Sequence, residues 1–352
     1  MSSAIKLRAA VAGSAMLCAS LGAAPDRASA DEGGVGAWTP GTTGSFAVTP
    51  QQPGWSFTDQ YYHVSESAGG AVAAARQFTI GAFARTAAVS LNANLNSRTD
   101  VDLVELSYVF ATPVLGGQFA LGATSGVGRN STSIDGTLTA TIAGQTAMRS
   151  GSISDARDGF GDFVPQATLR WNHNVNNFGI YLGGIAPVGT YDSTSLANLG
   201  IGHGAIDGGL GYTYLDEKTG HEFSVVTGLT GNFVNPSTNY QNGIDWHLDW
   251  GASQTINEHL FIGAVGYFYR QITGDRGALP VLGGFESRVV GIGPQVQLSF
   301  PVGMLSGSLT LKGYREFDAE NRPYGWNTWL TFTLSPSPPA SPAGPSKPLY
   351  TK

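Results

Sequence analysis

Apolar and polar residues alternate one for one over long stretches of this chain, and that period predicts β-strands. In 243–256, Trp246, Leu248, Trp250 and Ala252 share one face, and Asp245, His247, Asp249, Ser253 and Thr255 the other. In 286–300, Val290, Ile292, Val296, Leu298 and Phe300 oppose Gly291, Gly293, Gln295, Gln297 and Ser299. In 305–317, Leu305, Leu309 and Leu311 oppose Ser308, Thr310, Lys312 and Glu316. The closing segment sets Leu330, Phe332 and Leu334 against Trp329, Thr331 and Thr333. Successive side chains on a strand point to opposite faces, so each segment has one apolar and one polar surface.

A soluble sandwich alternates too, but two features point elsewhere. The segments run 10–15 residues, well beyond the ~5–6 of globular strands and suited to a tilted membrane crossing. The connections are also sorted by length. Tight turns at 113–117, 174–177, 216–220, 256–259 and 301–305 alternate with longer connections around 188–202, 234–242, 272–284 and 317–324. Short turns at one rim and long loops at the other characterise outer-membrane barrels.

Counting back from the C-terminus gives strands near 325–334, 305–317, 285–300, 258–271, 243–256, 220–233, 203–215, 177–187 and 160–173. A long loop of about 129–159 comes before these, and ahead of it lie strands 116–128 and 100–112. That makes eleven, and an even barrel requires one more, either 55–66 or 78–95. The expectation is an all-β, transmembrane, antiparallel up-and-down barrel of about 12 strands over 55–334, with ten or fourteen strands as alternatives. Residues 31–54 read as irregular backbone, and the Pro/Ser-rich tail 335–352 as disordered.

Composition sharpens this picture. The chain has 352 residues, 12% of them charged, against ~25% in typical soluble domains. Its 49 glycines are about double average usage. Lys6 and Arg8, the apolar stretch 9–24 and Ala28-Ser29-Ala30 form a signal peptide over 1–30, cleaved before Asp31. Cys18 is the only cysteine and lies inside that signal, so the mature chain is left without disulfides, thiolate metal sites or cysteine nucleophiles. The net charge of −6 becomes −8 once Lys6, Arg8, Arg27 and Asp26 are removed, a balance that argues against nucleic-acid partners. No later run reaches 18 apolar residues, so the membrane must be crossed by a closed sheet. Export, insertion by the outer-membrane assembly machinery and residence in a Gram-negative outer membrane follow as expectations, with the lipid bilayer as partner.

The alternation assigns an inner face. It carries Glu105, Asp162, Gln166, Arg170, Asp207, Glu222, Asp245, His247, Asp249, Gln295, Gln297, Lys312 and Glu316. Such a lining either selects solutes or merely fills a narrow barrel. Asp245-x-His247-x-Asp249 places three polar groups on one face, as a metal or proton site or as a hydrogen-bonded network. No metal or cofactor is expected. Trp171, Tyr212, Tyr214, Trp246, Trp250, Tyr267 and Tyr269 are expected on the outer face as interfacial aromatics. A barrel hydrolase is the rival class, but no G-x-S-x-G elbow is present and no catalytic residue is expected.

Several blocks also resemble a known family. GFGDFVPQATLRWN (159–172), LANLGIGHGAIDGGLGYTYLDEKTGHEFS (196–224), NPSTNYQNGIDWHLDWGASQ (235–254), GYFYRQITGD (266–275), RVVGIGPQVQ (288–297) and GYREFDAENRP (313–323) are similar to the family named for the meta-pathway of phenol degradation. The resemblance covers nearly all of the chain after Arg98, while 67–98 and the C-terminal tail depart from it. It implies an outer-membrane barrel transporter passing small aromatic or hydrophobic compounds. A non-conducting structural envelope barrel is the alternative.

Overall fold

In the computed structural model, residues 38–70, 89–142, 145–277 and 286–338 are described. They form thirteen antiparallel strands. β1 (Gly54–Gly69), β2 (Val89–Val109), β3 (Gln118–Ile142) and β4 (Gln145–Phe160) open the chain. β5 (Val164–His173), β6 (Asn176–Ile185), β7 (Ala205–Asp216), β8 (His221–Asn232) and β9 (Asp245–Asn257) follow. β10 (Leu260–Gln271), β11 (Arg288–Val302), β12 (Leu305–Glu320) and β13 (Tyr324–Pro336) complete it.

Neighbours in sequence pair in space, with one exception. β5 skips β4 and pairs with the lower part of β3, Gln118 to Thr124, while β4 pairs with the upper part, Val127 to Ile142. β13 returns to β1, from Phe57↔Leu334 to Ser67↔Tyr324. Twelve strands thus close a barrel and β4 stands outside the ring. Closure leaves no unpaired strand edge within the hydrocarbon, where each orphaned amide costs several kcal/mol.

The twelfth strand is the 55–66 segment. Of 78–95, residues 89–95 continue β2, and 78–88 fall outside the described residues. Two expected loops are corrected. The 129–159 loop is a β-hairpin of β3 and β4. The 317–324 connection shrinks to residues 321–323, because β12 runs on to Glu320. The other turns stand where expected. Gly303 (φ 62°) and Asn174 (φ 57°) supply the left-handed corners of the 301–305 and 174–177 turns, a conformation those residue types adopt at low cost.

The outer face is apolar. Leu106, Leu182, Leu210 and Leu229 are each half-exposed or more, the apolar surface that a membrane barrel turns to lipid. The interior holds a cluster of Val265, Tyr267, Tyr269, Val289, Tyr314 and Trp329, with Trp38, Tyr62 and Leu103 packed against it. A second, smaller cluster of Ala68, Ala93, Leu95 and Ile134, covered by Leu196, lies at the loop rim. The signal peptide and most of the C-terminal tail lie outside the described residues, although Ser335 and Pro336 still belong to β13.

Candidate functional site

The polar face of the alternating strands does line the lumen, and the N-terminal segment fills it. Residues 38–53, expected only as irregular chain, run inside the barrel from Trp38 down to the turn rim, where β1 begins. The segment forms no ladder with the wall. Its main-chain groups are instead bonded one after another by side chains projecting from the strands.

At the top, Asp249 accepts three hydrogen bonds from the segment: from Trp38 Nε1 at 3.2 Å, the Gly41 amide at 3.2 Å and the Thr43 amide at 3.4 Å. Lys312, from β12, donates to the Gly41 carbonyl at 2.6 Å and the Thr42 carbonyl at 3.0 Å. Tyr314 adds its hydroxyl to the Gly41 carbonyl at 3.3 Å. Two buried opposite charges thus hold donors and acceptors of the same short turn. Hydrogen bonds to charged groups contribute about 1.5–3 kcal/mol each.

Lower down, Gln295 donates to Ser45 Oγ. Glu222 accepts from the Phe46 amide at 2.9 Å and from Ser253 Oγ at 2.8 Å. The Ala47 amide donates to Ser224 and the Val48 amide to Thr213. Gln51 closes the run, exchanging hydrogen bonds with Gln118 and accepting from Arg170 Nη1 at 2.9 Å. Glu105 lies within electrostatic reach of Arg170.

Glycine makes the room. A Cβ on Gly211 or Gly179 would stand 2.5 or 2.7 Å from Val48 Cγ1, and one on Gly251 would stand 2.5 Å from the Ser45 amide. Part of the glycine excess is therefore a smooth track for the plug along the inner wall.

The remaining inner-face residues bond one another. Asp207 accepts from His247 Nε2 at 2.8 Å and from Thr230. Asp245 accepts from Tyr269 at 2.8 Å and Asn232 at 2.8 Å. Glu316 accepts from Tyr267 at 2.8 Å and from the Gly325 amide at 2.7 Å. Gln297 accepts from Thr310 at 2.7 Å. The Asp245-His247-Asp249 ladder is thus a hydrogen-bonded set, each member with its own partners. Gln166 is exposed on the same inner parity of β5 as Arg170. Asp162 departs from expectation: it lies in the β4–β5 connection and binds the Gly189 and Ile201 amides at 2.8 Å, pinning the long 186–204 loop.

The aromatics divide. Trp171, Tyr212, Tyr214, Trp246 and Trp250 share the outward parity of their strands, Trp171 and the two tyrosines near the turn rim and Trp246 near the loop rim. Tyr267 and Tyr269 correct the expectation, since both point inward and are buried at 1% and 2% exposure. The reason lies in β10 itself. Its inner set (Phe261, Val265, Tyr267, Tyr269) and its outer set (Ile262, Ala264, Phe268) are both apolar, so alternation carries no sign there. The inner face is apolar because Trp38 and Phe46 pack on it, Phe46 against Phe261 at 4.9 Å.

One solved structure agrees with this architecture. An outer membrane channel of Pseudomonas putida F1 shares the fold at TM-score 0.56 and 15% identity, covering 84% of this chain and 99% of that one. A FadL homologue of Pseudomonas aeruginosa aligns at TM-score 0.37 and 9% identity, over 81% of this chain and 90% of that one. The CymD monoaromatic hydrocarbon channel aligns at 0.38 and 10%, over 82% and 90%. No curated protein matches the sequence. The family model described as "Putative MetA-pathway of phenol degradation" matches residues 66–332, taking in the 67–98 stretch that departs from the quoted blocks. That match runs from the last residues of β1 to residue 332 in β13 and takes in every strand between, and the chain belongs to this family.

Proposed function

We propose that this protein is a passive channel of the Gram-negative outer membrane for small aromatic or hydrophobic compounds, closed in the present state by its own N-terminal segment. The observation that carries the reading is the way the segment is held. It touches the wall through side-chain hydrogen bonds and small seats rather than through a strand ladder, so its release breaks no part of the barrel. The aromatic cluster at its upper end gives a hydrophobic solute favourable surface. The family's description points to phenol-like compounds, and the name of the Pseudomonas putida relative to a channel. Signal-directed export and insertion by the assembly machinery, with short turns facing the periplasm, complete the reading.

The same chemistry favours a conduit over an enzyme, since the Ser253 hydroxyl is bonded to the Glu222 carboxylate rather than to the imidazole that would activate it as a nucleophile. The filled lumen also supports a second reading, a structural barrel that never opens. Single-channel recording of the refolded mature chain in a planar bilayer separates the two. Stepwise openings modulated by phenol support the channel; a folded barrel silent in the wild type and in plug-weakened variants supports the structural reading.

A further inference from the structure

The group that fills the upper lumen is itself a small planar aromatic with one N–H. The Trp38 indole lies 4.6 Å from the His247 ring at an interplanar angle of 13°. It is parallel to Tyr269 at 6.1 Å and 1°, with Tyr267 edge-on at 6.2 Å. Its N–H ends on Asp249 Oδ2. These four wall residues are each no more than 2% exposed and all come from paired strands. Trp38 alone comes from a segment outside the sheet. His247 keeps a buried Nδ1 with no hydrogen-bond partner among the described residues, a polar atom of the wall that Trp38 leaves unsatisfied.

Two near-parallel rings, a third ring edge-on and a carboxylate acceptor define a ligand: a flat aromatic of one or two rings carrying a single N–H or O–H donor. We propose that Trp38 is a self-ligand occupying a binding site for such a solute, and that the solute competes with it. The inference deepens the channel reading and rests on it for the solute's presence in the lumen. A side chain on a short tether presents itself at an effective concentration on the order of millimolar. A free solute of equal intrinsic affinity therefore half-displaces Trp38 only in that range. Binding tightens once Trp38 is gone.

The test is calorimetric titration of the full mature chain, wild type and Trp38→Ala, with indole, N-methylindole, phenol and anisole. The proposal expects indole and phenol to bind W38A at least about tenfold more tightly than wild type. N-methylindole and anisole, which lack the donor, should lose roughly a further tenfold or more, the worth of one hydrogen bond to a charged acceptor. Asp249→Asn in the W38A background should narrow that gap. Trp38→Phe, which keeps a ring but drops the donor, serves where W38A does not refold, and should show a smaller gain for indole. Equal indole affinity in wild type and variants overturns the proposal, as does equal affinity for donor and donor-less probes. Binding needs no transport, so a protein that binds indole as expected but never conducts loses the channel reading alone.

Discussion

The lumen cluster and the loop-rim cluster solve the same problem at different scales. Inside the barrel, Val265, Tyr267, Tyr269, Tyr314 and Trp329 gather large rings around a segment that belongs to no strand. At the loop rim, Ala68, Ala93, Leu95 and Ile134 gather small side chains under Leu196. Asp155 of β4 secures that cover, accepting from Ser195 Oγ and from the Leu196 and Ala197 amides at 3.1 and 3.2 Å. Both clusters are apolar patches covered by irregular chain. The difference is in the anchors. The plug is held by two buried charges on separate strands, Asp249 of β9 and Lys312 of β12, whereas the rim loop is held by partly exposed groups, Asp155 with the Arg157–Asp192 ion pair and the Asn130 amide. Breaking the first should act on permeation, and breaking the second only on the rim.

The largest expected effect follows Asp249→Ala. It strands the Trp38 N–H and two amides and leaves buried Lys312 without its counter-charge. Removing one member of such a set costs about 3 kcal/mol or more, roughly a hundredfold in the bound-to-released ratio of the segment. Open probability in planar bilayers should rise accordingly, and a protease added on the periplasmic side should cut the segment while the barrel stays intact.

Gly211→Leu comes next. Its Cβ would meet Val48 Cγ1 at 2.5 Å, and overpacking of this kind costs about 1–3 kcal/mol. The segment should loosen about tenfold by the same conductance measure, with the heat-resistant migration of the barrel on gels unchanged.

The smallest effect should follow Asp155→Ala. Channel currents should stay at the wild-type level, while the 192–198 loop becomes easier to cleave with protease. The same anchor gives a pH dependence. The Ser195 hydrogen bond, with the backbone amides, holds the Asp155 carboxyl below its ordinary range. A depressed carboxyl stabilises its contacts above the ordinary carboxylate pKa, and that contribution fades as pH falls through the lowered value. Protease resistance of the loop should therefore persist at neutral pH and be lost only in acid below about pH 4. A loop that loosens between pH 6 and pH 8 would contradict this anchor.

The same contrast explains what the sequence made legible. Where one face meets lipid and the other meets polar groups, as in β9, β11 and β12, the period-two pattern located the strands and assigned Asp245, His247, Asp249, Gln295, Lys312 and Glu316 to the inner face. In β10 both faces are apolar, so the pattern puts Tyr267 and Tyr269 on the outer side although they point inward. In β3 and β4 beyond Val127 both faces are rich in Ser, Thr, Gly and charge. That stretch reads as a loop, although its backbone pairs as regularly as the wall. The plug was illegible for another reason. A segment bonded through its main chain needs no side-chain period, so 38–53, rich in Gly, Pro and Thr, shows none. The available signals are Trp38 and Phe46, two aromatics set among small and polar residues.

The central claim, that the N-terminal segment closes the lumen, is tested most directly by fastening it there. Cys18 is the only cysteine of the chain and lies outside the described barrel, so an introduced pair is free of competitors. A Cβ built at Gly211 lies 3.6 Å from Val48 Cβ, within the ~3.5–4.5 Å that a disulfide spans. The measurement is single-channel current through the Val48→Cys/Gly211→Cys chain, oxidised and then reduced in the same bilayer. The account predicts silence while the bond is intact and openings after reduction. Openings of equal frequency in both states would contradict it.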